Sequence, residues 1–316
     1  MQLDNKEKYL GIEIGGTKLQ LVTGTKDGII EEKVRYTVHV EEGAAGIKKL
    51  IKEGLGRLNI DTLAAVGVGF GGPVDWEKGT IERSHHVAGW EGIHLKSWLE
   101  QLTGRPAYID NDANVAALAE AVHGRGKGFN RVFYMTIGSG IGGGLVVDGF
   151  IYHGCIPGEV EVGHLRMDKG GQILEDRCSG WAVNKKVKAF VQQQPNSLLA
   201  QLAAENKGPE AMLLKPALEK EDKDAQQIIH EVADDLAFAL SHVVHLFHPD
   251  VLVIGGGLSL LNEYLRKPIE DRLTHYVMKA FLPPPPLLIA LLREDVVPIG
   301  ALTLAKTALY NQSETK

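Results

Sequence analysis

The sequence predicts an α/β protein built as two related lobes with a cleft between them. Three observations carry that prediction: short apolar stretches end in glycine clusters, amphipathic runs alternate with them, and the second half of the chain repeats the pattern of the first. At roughly 100–200 residues per domain, 316 residues are enough for two domains with a substantial core. The chain holds 34 basic and 40 acidic residues, a net charge of −6, and is 44% hydrophobic. That composition fits neither a disordered segment nor a basic nucleic-acid binder, so no nucleic-acid partner is expected. The two cysteines, Cys155 and Cys178, could form at most one bridge, which fits a reducing compartment. Residues 1–10 lack an apolar signal core, and the longest apolar run, residues 287–292, is far too short to span a bilayer. A cytoplasmic protein without a membrane partner is expected.

The elements follow in order. Residues 9–14 are apolar, Gly15-Gly16 makes a turn, and residues 17–22 set Leu19 and Leu21 against Lys18 and Gln20. This is a hairpin with a glycine tip. Residues 43–58 have helical spacing, and residues 64–70 form a buried strand that ends in Gly71-Gly72-Pro73. Tyr108 and Ile109 close another strand just before Asn111-Asp112, and a helix follows with Val115, Leu118, Ala119 and Val122 on one face. In the second half, residues 131–137 are a strand, 138–144 a glycine loop and 145–148 another strand. Residues 226–247 make a long amphipathic helix carrying Ile229, Val232, Leu236, Leu240, Val243 and Phe247 on or near one side, stopped at Pro249. Residues 251–254 then run into Gly255-Gly256-Gly257. The charged stretch 205–224 reads as a solvated helical excursion, and residues 283–286 as a stiff proline connector into a strand over 287–292.

The 37 glycines cluster at strand ends, where backbone N–H groups can approach phosphate oxygens. Two patterns, Gly67/Gly69/Gly72 and Gly138/Gly140/Gly143, match a dinucleotide fingerprint in spacing, but no helix starts at the third glycine of either. Hydride transfer is therefore set aside. No GxxxxGK[ST] loop occurs, which excludes a P-loop enzyme.

Five ordered motifs then carry a resemblance: Gly11 to Lys18 (GIEIGGTK), Asn111-Asp112-Ala113-Asn114, Ile137 to Gly144 (IGSGIGGG), Glu161-Val162-Gly163-His164 and Gly255-Gly256-Gly257. In that order and over nearly the whole chain, the sequence resembles the ROK family of sugar kinases and repressors. The resemblance implies the two-lobed actin-like hexokinase fold, ribonuclease H-like in each lobe, with sugar and ATP meeting in the interlobe cleft. It assigns residues 1–112 plus about 299–316 to the smaller lobe and 113–298 to the larger, and suggests a homodimer.

Phosphoryl transfer to a sugar hydroxyl needs a carboxylate base, phosphate-binding donors, a metal on the nucleotide and exclusion of water. Asp112 is the best base in the sequence, since the first turn of a helix keeps a carboxylate ionised; its bland role would be a helix N-cap. By the resemblance, Gly72, His86, Asn111, Asp112, Glu161, His164 and Glu175 form the sugar set. Gly15, Gly16, Thr17 and Lys18 with Gly138, Ser139, Gly140 and Gly142 hold phosphates, and Gly255, Gly256 and Gly257 border the adenosine. Mg²⁺ arrives with ATP, and Glu13, in place of the commoner Asp, could reach a metal-bound water.

Two further departures stand out. Zinc-binding members carry a CxCGxxGC segment before the LE dipeptide; here residues 165–173 hold no cysteine, so no structural zinc is expected. His86 stands where an Asn that helps read the sugar is common. The expected activity is thus an ATP-dependent hexose kinase of glucokinase type acting on a 6-hydroxyl. The alternatives are a kinase for mannose, fructose or N-acetylmannosamine, polyphosphate as donor, or a non-catalytic sugar sensor. A repressor needs a helix-turn-helix of several tens of residues, and only residues 1–10, which are not basic, precede the first motif. His242, His245 and His248 recur along one helix without a completing carboxylate, and Trp76, Trp90, Trp98 and Trp181 read as packing residues, Trp90 bordering the sugar site.

Overall fold

The computed structural model describes residues 7–84, 87–156, 158, 160–206 and 208–314. In chain order the elements are β1 (Lys8–Ile14), β2 (Lys18–Thr25), β3 (Ile30–Thr37), α1 (Gly43–Leu55), β4 (Leu63–Phe70), β5 (Val74–Asp75), β6 (Thr80–Ile81), β7 (Ile93–His94), α2 (Leu95–Thr103), β8 (Ala107–Asn111) and α3 (Asp112–His123). There follow β9 (Arg131–Ile137), β10 (Ile141–Val147), β11 (Phe150–Ile151), α4 (Leu174–Cys178), α5 (Gly180–Gln193), α6 (Leu198–Glu205), α7 (Leu214–Glu219), α8 (Lys223–Phe247), β12 (Val251–Gly255), α9 (Glu263–Tyr276), β13 (Leu287–Ile289) and α10 (Val296–Glu314). They gather into two compact units, one of Met1–Asn130, Gly144–Val160 and Leu291–Lys316, the other of Arg131–Gly143 and Glu161–Ala290.

The first unit is built on a five-stranded sheet of order β3-β2-β1-β4-β8, antiparallel through β3, β2 and β1 and parallel from β1 to β8. Strands β1, β2 and β4 are buried on both faces, as their near-continuous apolar sequences require, whereas the edge strand β3 alternates half-buried and exposed. One face packs Leu10, Ile12, Leu19, Leu21 and Phe70 against Ile47 and Ile51 of α1 and against Trp90. The other face receives α10, with Leu302 and Ala305 on Tyr9, Val22 and Ala65.

Close approach of that helix explains two glycines of a pattern that resembled a nucleotide fingerprint. A Cβ on Gly67 would fall 1.9 Å from the Ala301 carbonyl oxygen, and one on Gly69 would fall 2.5 Å from the Val297 side chain. Both positions serve helix-on-sheet packing, where only hydrogen fits.

The second five-stranded sheet has the order β11-β10-β9-β12-β13, with β9, β12 and β13 parallel. Helix α8 buries Ile229, Val232, Leu236, Leu240 and Val243. It begins at Lys223, earlier than the apolar stripe indicates, because the Asp222 side chain caps it by accepting from the Ala225 N–H at 2.8 Å.

Three expectations change. The glycine loop 138–144 is shorter, because β10 starts at Ile141 and takes Gly142, Gly143 and Gly144 into the strand. Gly144 is there for packing on α3, since its Cβ would meet the Ala117 side chain at 2.7 Å. The stretch 205–224 is not merely solvated: it buries Leu213, Leu214, Ala217 and Leu218, apolar residues spaced for one helical face. The strand over 287–292 ends at Ile289, because Leu291 and Leu292 donate their N–H groups to the buried Glu120 carboxylate, each at 2.8 Å, instead of to a neighbouring strand.

Candidate active site

In the first unit, β1, β4 and β8 run parallel with Ile14 opposite Phe70 and Phe70 opposite Asn111, so all three end at one edge. Glycine turns and polar residues gather there, outside the carboxyl ends of the strands where open α/β sheets take their ligands. The Gly15 N–H donates to the Lys18 carbonyl at 2.9 Å and closes the tip. The Gly71 N–H donates to the Ile14 carbonyl at 2.8 Å, and a Cβ on Gly71 would lie 3.4 Å from Asp112 Oδ2 and 3.6 Å from the Gly15 Cα. Gly15, Gly71 and Asp112 are therefore immediate neighbours.

The β8–α3 junction divides its work between adjacent residues. Asn111 is the N-cap: its Oδ1 accepts from the N–H groups of Ala113 at 2.8 Å and Asn114 at 3.3 Å, while its Nδ2 donates to the Gly72 carbonyl at 3.2 Å. Both arms of the amide thus have protein partners. Asp112 is the first residue of α3, half-buried, in the positive end of the helix dipole. The capping role weighed for Asp112 from sequence falls to its neighbour.

Glu13 and Lys18, placed in sequence near a phosphate or metal, are tied to each other. Lys18 Nζ lies 3.0 Å from Glu13 Oε1, and Gln20 Nε2 donates to Glu13 Oε2 at 2.6 Å. Thr17 is exposed at the tip. His86 lies outside the described residues. Trp90 is fully buried, edge-on to Phe70 with ring centroids 5.1 Å apart, and its indole N–H has no hydrogen-bond partner among the described residues.

The second unit assembles the remaining residues. Strands β9 and β12 are parallel neighbours with Thr136 opposite Gly255, so the turns Gly138-Ser139-Gly140 and Gly255-Gly256-Gly257 leave the same edge. Gly256 has a φ of +82°, and a Cβ there would fall 2.5 Å from the Ile137 backbone. Only glycine fits that left-handed turn. Gly138 and Gly257 face open space, Ser139 is exposed, and Gly142 belongs to β10.

Glu161 and His164 bracket a single 3-10 turn, Val162–His164, and both are exposed. Their turn presses on β10, since a Cβ on Gly163 would lie 2.2 Å from the Ile141 carbonyl oxygen. Glu175, on α4, accepts the Ile141 N–H through Oε2 at 2.7 Å. The two faces of one peptide strand thus hold the Glu161–His164 turn and Glu175 together.

The cysteine-free segment 165–173 folds as a small hairpin. The Met167 N–H donates to the Gln172 carbonyl at 2.8 Å, the Leu174 N–H to the Leu165 carbonyl at 2.9 Å, and Arg166 bridges Ile173. Arg177 spreads its guanidinium over Gln172 at 3.0 Å, Asp235 at 2.8 Å and Asp168 at 3.6 Å. These contacts were not foreseen from the sequence; the signal was a lone Arg within residues 174–180 (LEDRCSG). Cys178 is buried and its thiol is pushed up to about 12 by desolvation, while Cys155 is exposed. Among the described residues no three His, Cys, Asp or Glu side chains gather as a metal set, and no helix is long and apolar enough to cross a membrane.

This arrangement has counterparts among known proteins. A putative xylose repressor from Caldicellulosiruptor is 27% identical over 81% of this chain and 61% of its own length. The glucokinase of Thermotoga maritima is 30% identical over 310 residues, 95% of this chain and 98% of that protein. A ROK family glucokinase from Streptomyces griseus, solved in complex with glucose and AMPPNP, superposes with a TM-score of 0.83 at 27% identity, covering 95% of this chain and 99% of the other. The strand order, the glycine turns and the junction at Asn111-Asp112 lie inside residues 9–308, which match the ROK family model, and on that match the chain belongs to the ROK family.

Proposed function

We propose that this ROK-family sugar kinase is an ATP-dependent hexose kinase of glucokinase type, transferring the γ-phosphoryl to a sugar 6-hydroxyl. The observation that carries the reading is the division of labour at the β8–α3 junction. Asn111 caps the helix, and the Asp112 carboxylate lies in the first turn beside Gly71. Asp112 accepts the proton of the attacking hydroxyl as the new bond from sugar oxygen to phosphorus forms and the bond from phosphorus to the β,γ-bridging oxygen breaks, releasing ADP. The helix dipole favours its ionised form before the reaction. The turns 138–140 and 255–257 supply backbone N–H groups toward phosphates and adenosine, and Mg²⁺ carried on the nucleotide neutralises phosphate charge. Because Lys18 and Gln20 already occupy the Glu13 carboxylate, it serves the hairpin more directly than the metal.

Glu161, His164 and Glu175 would take further sugar hydroxyls, with Gly72 held in place by Asn111. The glucokinase relatives support glucose as the sugar, and the AMPPNP in the Streptomyces griseus structure supports ATP as the donor. The deciding experiment is a panel of hexoses and N-acetylhexosamines assayed with ATP and, separately, with polyphosphate. Phosphorylation of glucose with ATP is expected. A preference for another sugar replaces the substrate, a preference for polyphosphate replaces the donor, and no turnover over the whole panel favours a sugar sensor.

A further inference from the structure

Asp110 is the residue before the N-cap, and only 4% of its side chain is exposed. A buried carboxylate needs its acceptor sites filled, and each of its partners is informative. Oδ1 accepts the backbone N–H of Asn111 at 2.8 Å and Asn114 Nδ2 at 3.0 Å, so Asp110 grips the turn on both sides of Asp112. Oδ2 meets His153 Nε2 at 2.7 Å. A carboxylate accepts, so Nε2 carries the proton. His153 comes from the segment after β11, 43 residues away, and its ring stacks on Trp76 of the β5–β6 turn with centroids 4.1 Å apart and planes at 16°. Three segments of the first unit therefore converge on one buried charge directly behind the β8–α3 junction.

We infer that His153 is a positioning residue for this reaction, acting through Asp110 to set the orientation of the Asp112 carboxylate. The inference rests on the reading of Asp112 as the base. A base must sit within hydrogen-bond reach of the attacking hydroxyl, and a small tilt of its helical turn lengthens that distance. Losing the His153 donor leaves the Asp110 carboxylate buried without its Oδ2 partner, and the carboxylate relaxes by turning away from Asn111 and Asn114. The glycine turns of the second unit, which supply the donors toward phosphates and adenosine in the proposed mechanism, are untouched, so the KM for ATP is expected to change little. His153 also borders a cavity of about 400 Å³, lined by Trp76, Tyr108, Ile151 and Leu304 among others. Truncating the ring therefore widens existing space instead of opening a void in a packed core.

The experiment measures His153→Ala, His153→Gln and Asp112→Asn side by side on the full chain, with circular dichroism to confirm the native fold. For His153→Ala the expected result is a kcat about 10-fold to 100-fold lower with the KM for ATP within about twofold of wild type. His153→Gln keeps an N–H donor that can reach Asp110 and is expected to recover kcat to within about fivefold of wild type. Unchanged kcat in His153→Ala beside a crippled Asp112→Asn overturns this inference alone. Equal losses in the Ala and Gln variants also overturn it, since they would point to bulk and not to the hydrogen bond. Full turnover in Asp112→Asn overturns the base assignment and this inference with it.

Discussion

Glu175 Oε2 accepts the backbone N–H of Ile141 at 2.7 Å, in the space that a side chain on Gly140 would fill, since a Cβ there would lie 2.4 Å from that same oxygen. One carboxylate thus closes the glycine turn 138–140 against β10. The turn has two more backbone ties, Gly138 N–H to the Gly140 carbonyl at 2.9 Å and Gly180 N–H to the Gly138 carbonyl at 2.7 Å.

Gly140→Ala is expected to push the carboxylate off Ile141 and raise the KM for ATP about 10-fold, the loss of a hydrogen bond to a charged group being worth ~1.5 kcal/mol at the low end. Adding Glu175→Ala should cost less than the sum of the two single changes, because both remove the same contact. A double-mutant cycle on steady-state kinetics checks this; strict additivity would show that the two residues act separately.

Asp112→Asn keeps the size of the side chain and one acceptor but cannot take a proton. Turnover should fall at least roughly 100-fold with sugar affinity nearly intact. Calorimetric sugar binding beside a coupled ADP-release assay measures both quantities.

Arg177 joins the 165–173 hairpin to α8 through Asp235, with Gln172 and Asp168 on the other side. The group is one-third exposed, so each ionic contact is worth little alone. Arg177→Ala should lower stability by about 1 kcal/mol, a drop of a few degrees in Tm, and raise the sugar KM through the loosened His164 and Glu175. Arg177→Lys should recover little, since an ammonium cannot reproduce the planar fork. Thermal melts and sugar kinetics of the two variants test this together.

His123, at the end of α3, holds Thr303 of α10, with Nε2 2.9 Å from Thr303 Oγ1. The threonine hydroxyl donates its own hydrogen to the Ile299 carbonyl at 2.9 Å, so the imidazole N–H is the donor in this pair. Burial, then Lys306 and Lys127, hold the His123 pKa below its ordinary value of 6.5. A folded pKa below the unfolded one means that the unfolded state binds the proton more tightly. The stabilisation is present above the unfolded pKa and is lost as pH falls from 6.5 through the folded value. His123→Gln should flatten that slope. Urea midpoints from pH 7.5 down to about 5 measure it, and parallel slopes for wild type and variant would remove His123 as the cause.

The sequence by itself determined the α/β class, the glycine-tipped strand ends and the family, because these rest on local chemistry: apolar alternation, turn glycines and ordered short motifs. It placed Asp112 at a strand-to-helix junction, where position alone favours a helix cap and the family resemblance favours a base. Tertiary structure gave the cap to Asn111, whose amide also reaches Gly72, 39 residues away. It likewise divided the glycines: Gly67, Gly69 and Gly144 admit helices against sheets, while Gly138 and Gly257 face open space. Spacing alone cannot separate these uses, because the atom that a Cβ would strike belongs to a distant part of the chain. The contacts of Arg177 and the His153–Asp110 pair were hidden for the same reason. A buried charge is identified by the partners that compensate it, and those partners meet only when the chain folds.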